Sequence, residues 1–427
     1  MANPYSIYID PPLRRMRTAL DVSGLHGLSQ CILELDHTYG PNPTTSRIID
    51  SEDYKGNAEV LLSQISPEML HSILSNTLPS DVASGQLNLE PWAEISMQPQ
   101  HKDTLEPGIY ANYLAAHDGS PMTLDDFEHF LDGLDAAVMG LRMNDAAQTD
   151  ISQLVDAHYR INYGNGRGLL HEIRGASLTA AVGTFLQINR VRLQDAQAQG
   201  ATHITIHGDC GWAINIHDRC RQHRMLVSSP ALFRLANCLL SVLFPLKHFR
   251  MHHFCIFRAF RFEHAGTGES LGSHLITSYS TYGGFSLEQA GHSVSSSQDL
   301  TSNGWMVVSD RYAGLLDKMK TRLDAETAKL TDEAKREKLE AERRRLYQIL
   351  LQKRANLKLL KEKEEQGIAK MDNALSVMKL QNKSIEDRMA KGKAKVDRRI
   401  KEWEDLAKAL GIAVGDQAGS STNGSSE

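Results

Sequence analysis

A chain of 427 residues exceeds one typical domain, and 41% hydrophobic against 23% charged residues supplies a packed core, which excludes a wholly disordered or fibrous protein. The net charge of −5 hides a split, because Arg311 to Leu410 carries 27 Lys+Arg against 18 Asp+Glu while the remainder carries 20 against 34. A basic segment is thus joined to an acidic body, and the two can attract each other or separate partners.

The opening MANPYSIYIDPPLRRMR sets Asp10, Pro11 and Pro12 where a signal peptide needs an unbroken apolar stretch. No later run reaches the ~18 uncharged apolar residues of a membrane span. The expected location is intracellular, cytoplasmic or nuclear, without signal peptide or transmembrane segment. Five cysteines, an odd and scattered set, fit reduced thiols better than a disulfide framework.

Residues 1–104 read as a mixed α+β region with loops, and 105–300 as an α+β domain, because helices and strands mix without regular alternation. Ser66 is placed to cap a helix that begins at Pro67, with Met69, Leu70, Ile73 and Leu74 on one face. Pro107 to Gly119 predicts a strand ending in an Asp118-Gly119 turn. Thr123 and Asp126 resemble a capping box before an amphipathic face of Phe127, Phe130, Leu131, Leu134, Val138 and Leu141. A further helix is predicted from about Ser177, closed by Gly200.

Four histidines and two cysteines crowd the stretch THITIHGDCGWAINIHDRCRQH. Two alternating runs around Gly208 to Gly211 predict a β-hairpin over 202–217, in which Ile206 meets Ile214 and Ile204 meets Ile216. That register sets His203 opposite His217, with Cβ atoms ~5 Å apart, close enough to share zinc. Cys220 and His223 would complete the ligand set. The spacing lacks the paired CxxC or HxxxH pattern of structural zinc sites, so a wet, histidine-rich face is the plainer reading.

Ser229, Pro230 and Pro245 frame a buried helix, and HHFCIFRAFRF predicts a strand buried on both faces. Cys238 and Cys255 read as small core residues. HAGTGESLGSH and YGNGRG are Gly-rich loops without the Lys-Ser/Thr of a P-loop. His171 to Gly175 has half of a zinc-protease helix, and AGHSVS lacks a nucleophile elbow, so those hydrolase classes have no support.

All thirteen prolines lie at or before Pro245, which permits long helix afterwards. Residues 309–413 have the composition of a coiled coil. Leu316, Met319, Leu323 and Leu330 start one seam, and Leu346, Leu350, Leu357 and Leu360 restore it. Met371, Leu375, Met378, Asn382, Ile385, Met389, Gly392, Val396, Arg399, Trp403, Leu406 and Leu410 then step by four and three, a heptad seam. Such a stripe calls for self-association or another coiled-coil protein, or for folding back near Gly367. Arg343 to Arg345 and KGKAKVDRRIK offer phosphate contacts. Interleaved acidic residues make a solvated coil face the better reading than nucleic-acid binding. The Gly/Ser-rich tail 414–427 is expected to be disordered.

SPEMLH (Ser66 to His71), PGIYANYL (Pro107 to Leu114), GWAINIHDRCRQHR (Gly211 to Arg224) and YGGFSLEQAGHS (Tyr282 to Ser293) resemble stretches in uncharacterised proteins of filamentous fungi. That resemblance implies no known activity. The fold expected is an α+β globular body followed by a long C-terminal α-helical coiled coil and a disordered tail. The function expected is that of a non-catalytic interaction or scaffold protein self-associating through the coil. The alternatives are a zinc-stabilised domain or metal-dependent enzyme using the His203/His217 face, with nucleic-acid binding through the basic helix behind both.

Overall fold

The computed structural model describes residues 6–40, 52–98, 104–142, 150–164, 167–173, 176–288, 290, 295–329 and 333–409. The chain divides into two compact units, Met1–Leu346 and Tyr347–Glu427. The expected disordered tail lies outside the described residues.

The first unit opens with four helices, α1 (Pro11–Tyr39), α2 (Glu52–Leu62), α3 (Pro67–Leu74) and α4 (Leu78–Ala83). The described part of residues 1–104 thus holds helices and a single isolated bridge, Ile7 to His203, instead of a mixed region. Its apolar residues join the core that surrounds the main sheet, so no domain boundary falls at 104. Pro11 and Pro12 start α1, where a proline costs no hydrogen bond. Ser66 caps α3, its side chain accepting the Met69 N–H at 3.2 Å.

Strand β1 (Gly108–Ala115) follows, buried along its whole length, then β2 (Met122–Thr123), α5 (Leu124–Arg142), α6 (Asp150–Tyr163), α7 (Leu169–Glu172) and α8 (Ala176–Ala198). Thr123 Oγ1 accepts the Asp126 N–H at 3.2 Å and donates to Asp126 Oδ2 at 2.6 Å, a cap that starts α5. Next come β3 (His203–Ile204), β4 (Asp209–Ala213), α9 (Ile216–Arg224), α10 (Ala231–Leu243), β5 (Arg250–Arg258), α11 (Glu263–Leu275), α12 (Ser302–Arg311), α13 (Ala313–Lys329) and α14 (Glu333–Ala409).

The main sheet has the order β4-β1-β5, both pairs antiparallel, with β1 in the middle. A strand paired on both sides and covered on both faces reads as continuous apolar sequence, as GIYANYLA does. One core surrounds this sheet with α1, α2, α3 and α11, and a second is built by α5, α6, α8 and α10 beyond the end of β1, at Leu114 and Met251. Helix α11 lies close on the sheet because Gly268 and Gly272 face it. A Cβ at Gly268 would stand 2.7 Å from Ile109 Cγ1, and one at Gly272 2.8 Å from Cys210 Sγ. HAGTGESLGSH is therefore a buried helix whose glycines serve packing, not a loop.

The hairpin expected over 202–217 does not form. β3 pairs with β2, His203 opposite Thr123, while β4 pairs with β1, Asp209 opposite Asn112. β4 joins the three-stranded sheet, which buries more apolar surface than a two-stranded ribbon could, while β3 makes only a two-residue pairing with β2. Residues 214–217 leave the strand altogether, because Asn215 caps α9 by accepting the Asp218 N–H at 3.0 Å. Likewise Pro230, not Ser229, is the N-cap of α10, since the Ser229 hydroxyl is engaged by His223.

The first turns expected to belong to the coil pack on the body instead. Leu315 and Met319 are buried in the sheet's core, together with Val308 of α12. Arg322 donates to the Ser63 carbonyl at 3.2 Å, and Lys318 Nζ meets Glu90 Oε1 at 2.6 Å. Among the described residues, no helix is long and apolar enough to cross a membrane.

Candidate functional site

Alternation along β1 sends Tyr110 and Asn112 to the face covered by α9, and α9 returns Ile216, Cys220 and His223 to that face at helical spacing. Asn112 is fully buried in the centre of the sheet. Its two cross-strand neighbours are Asp209 on β4 and His253 on β5. Asn112 Nδ2 donates to Asp209 Oδ2 at 3.2 Å, its Oδ1 meets His253 Nδ1 at 2.8 Å, and Cys220 Sγ lies 4.0 Å from the same oxygen. One layer further, Tyr110 OH meets His223 Nε2 at 2.8 Å and accepts from Arg219 Nε at 3.3 Å. His223 Nδ1 meets Ser229 Oγ at 2.8 Å.

Burial sets the charge states in this array. It pushes the Asp209 carboxyl up to about 7, with Glu269 adding to the rise and Asn112 opposing it. It pushes His223 and His253 down to about 3, helped by Arg219 beside the first and by His223 beside the second. The Cys220 thiol is driven well above its ordinary value, again by burial, as is that of Cys210 on the opposite face of the sheet. Near neutral pH the array therefore holds neutral imidazoles, a protonated thiol and a carboxyl poised to gain or lose a proton. Thiols in that state are poor nucleophiles and poor metal ligands.

A cleft of about 790 Å³ opens along β4, which is an edge strand paired only to β1 in the main sheet, and Tyr110, Asp209, Trp212, Arg219, His223 and Glu269 are among its walls. It combines an aromatic surface, a fixed cation and buried carboxyls, the mixture of a polar-ligand pocket.

The four zinc candidates are distributed otherwise than the hairpin required. His203 lies on β3, its ring nitrogen 2.8 Å from Thr202 Oγ1. His217 accepts the Ser96 N–H at 2.9 Å, and Cys220 and His223 face the sheet in the contacts just described. Only the last three share an element, and among the described residues no group of three or more His, Cys, Asp or Glu is placed to hold a metal ion. The residues that do meet, Asp209, Asn112 and His253, escape a reading of sequence spacing because they come from three strands. The one signal was Asn112 itself, a polar residue amid an apolar strand that must find partners when buried.

The second candidate surface is α14. Met371, Leu375, Met378, Ile385, Met389, Val396, Trp403 and Leu406 all stand between 52% and 71% exposed along it. Eight large apolar side chains in one stripe exceed the scattered exposure ordinary for a soluble surface. No family model, curated protein or solved structure matches this chain, so its function is read from this geometry.

Proposed function

We propose that this chain is a non-catalytic interaction protein whose second unit self-associates as a coiled coil through α14. The observation that carries the reading is the exposed stripe from Met371 to Leu406, which keeps heptad spacing along one uninterrupted helix. A second copy of the same stripe buries those side chains at about 25 cal/mol per Å² of apolar surface removed from water. The faces outside the stripe mix Lys and Arg with Glu and Asp, which favours a solvated coil over a phosphate-binding surface. The zinc alternative has no comparable support, and metal analysis of the purified chain checks it.

Sedimentation of the full chain tests the proposal. The wild type should be a dimer at micromolar concentration, and Ile385→Glu with Met389→Glu should return it to monomer with the body still folded. A monomeric wild type would overturn the reading. The comparison belongs on the full chain, because a truncation near Asp310 would remove Leu315 and Met319 from the body's own core.

A further inference from the structure

We infer that α14 pairs with a second copy of this chain in antiparallel orientation, about a two-fold axis passing between Ala390 and Lys391. The inference rests on the proposed self-association and fixes its geometry. Its basis is the order of polar, small and bulky residues in the exposed seam.

The alternating steps put Leu375, Asn382, Met389, Val396 and Trp403 at a positions, and Met371, Met378, Ile385, Gly392, Arg399 and Leu406 at d positions. In a parallel dimer each seam residue meets its own copy. Arg399 would then face Arg399, two like charges in a core layer. Gly392 would face Gly392 and leave a void, and Trp403 would face Trp403, the two largest side chains in a single layer. Only Asn382 gains from that arrangement, by pairing with itself.

In an antiparallel dimer a positions meet d positions. With the axis between Ala390 and Lys391, Asn382 faces Arg399 of the second copy, so the seam's two polar residues share a layer and the asparagine oxygen can accept from the guanidinium. Leu375 then faces Leu406, Ile385 faces Val396, and Trp403 lies against Met378, a thioether–aromatic contact. Met389 fills the space left by Gly392. Every described seam residue from Leu375 to Leu406 thus finds a partner matched in polarity or complementary in size. Moving the register by one heptad destroys the match. Asn382 would face Gly392 or Leu406, a polar group without a partner, and Arg399 would face Leu375 or Met389, a charge against an apolar side chain.

The flanking charges lean the same way as the seam but weigh little beside it. The antiparallel register sets Glu386 near Lys393 of the second copy but Arg388 near Lys395, an attraction and a repulsion of similar size. The parallel register sets Arg388 near Lys393 and offers no opposite-charge flank. The seam therefore selects the orientation.

Spin labels on the full chain separate the outcomes. All five native cysteines are buried and free, so cysteines introduced at the exposed positions Asn373 and Ala394, one per variant, take the label selectively. In the antiparallel dimer the two copies of residue 394 are offset along the coil by roughly 10 Å, and those of residue 373 by roughly 50 Å. A much longer intermolecular distance for Asn373→Cys than for Ala394→Cys is the expected result. Equal distances at the two sites would show a parallel dimer, overturning this orientation and leaving self-association intact. The absence of any intermolecular distance in both variants would overturn self-association and the orientation with it.

Discussion

Glu326 Oε2 accepts the backbone N–H of Leu25 at 3.0 Å, so a carboxylate from α13 caps a helix segment 301 residues away. Helix α1 breaks at Ser23 and Gly24, where Gly24 takes φ 61°, and the segment that restarts at Leu25 has an open first turn. Glu326→Ala should lower stability by about 1 kcal/mol, the value of a lost cap, and Glu326→Gln by less, since the amide oxygen still accepts. Gly24→Ala should cost more than either, because its Cβ would overlap the Glu326 carboxylate in a left-handed conformation. Urea unfolding of the three variants gives the order.

Glycine to alanine should change sign with position. At Gly268 and Gly272 the new methyl meets Ile109 and Cys210 in a fully packed layer, and overpacking of about 1–3 kcal/mol outweighs the ~1 kcal/mol gained in helix propensity. At Gly367 nothing among the described residues lies within 4 Å of the new Cβ, so only the gain remains. Thermal melts should show the first two variants losing stability of the body and Gly367→Ala strengthening α14.

Glu106 ties α12 and α13 to the sheet. Its Oε2 accepts from Arg258 Nη1 at 2.9 Å and from the Tyr312 hydroxyl, and its Oε1 accepts from Arg311 Nη1 at 2.6 Å. The Arg258 guanidinium is almost fully buried and lies 4.9 Å from the Tyr312 ring centre. Glu106→Ala strands that charge and should cost about 3–5 kcal/mol. Because Trp305 of α12 stacks on Trp212 at 6.5 Å, loss of the tie should also change tryptophan emission before global unfolding.

Local signals in the sequence were sufficient where structure is local. The Ser66 cap, the buried face of α5 from Phe127 to Val138, β1 ending before Asp118-Gly119 and the end of α8 before Gly200 all follow from spacing and capping chemistry. What failed depended on distant partners. The runs Thr202–His207 and Trp212–His217 have hairpin-like alternation, yet β3 and β4, formed from 203–204 and 209–213, each pair with a strand about 80 or more residues earlier. Gly266, Gly268 and Gly272 resemble a loop until Ile109 and Cys210 are seen against the last two. Met319 has seam spacing, but the body's core claims it first. For the same reason the Asp209–Asn112–His253 row required sheet order and register, which a linear pattern does not contain.

Stability should fall as the pH drops from about 6.5 to 4, and Asp209→Asn should steepen the fall. His207, His223, His253 and His264 are each held neutral by burial, with folded values below the ordinary 6.5. Below that pH the unfolded chain binds protons that the folded chain refuses, so each histidine removes up to roughly 1.4 kcal/mol per pH unit. Asp209 acts in the opposite sense. Its folded value of about 7 exceeds the unfolded 3.8, so between those limits the folded state binds the extra proton and gains stability as the pH falls. Four histidines outweigh one carboxyl, and the net slope is therefore a loss on acidification. Replacing Asp209 by asparagine keeps an oxygen to accept from Asn112 and deletes the opposing contribution. The variant should be more stable than wild type at pH 8, where the buried carboxylate carries its full penalty, and the two should converge near pH 4. Denaturant midpoints of both proteins across pH 4–8 test this directly. Parallel curves would mean that the Asp209 carboxyl titrates in its ordinary range and that the cleft beside β4 is wetter than its walls suggest.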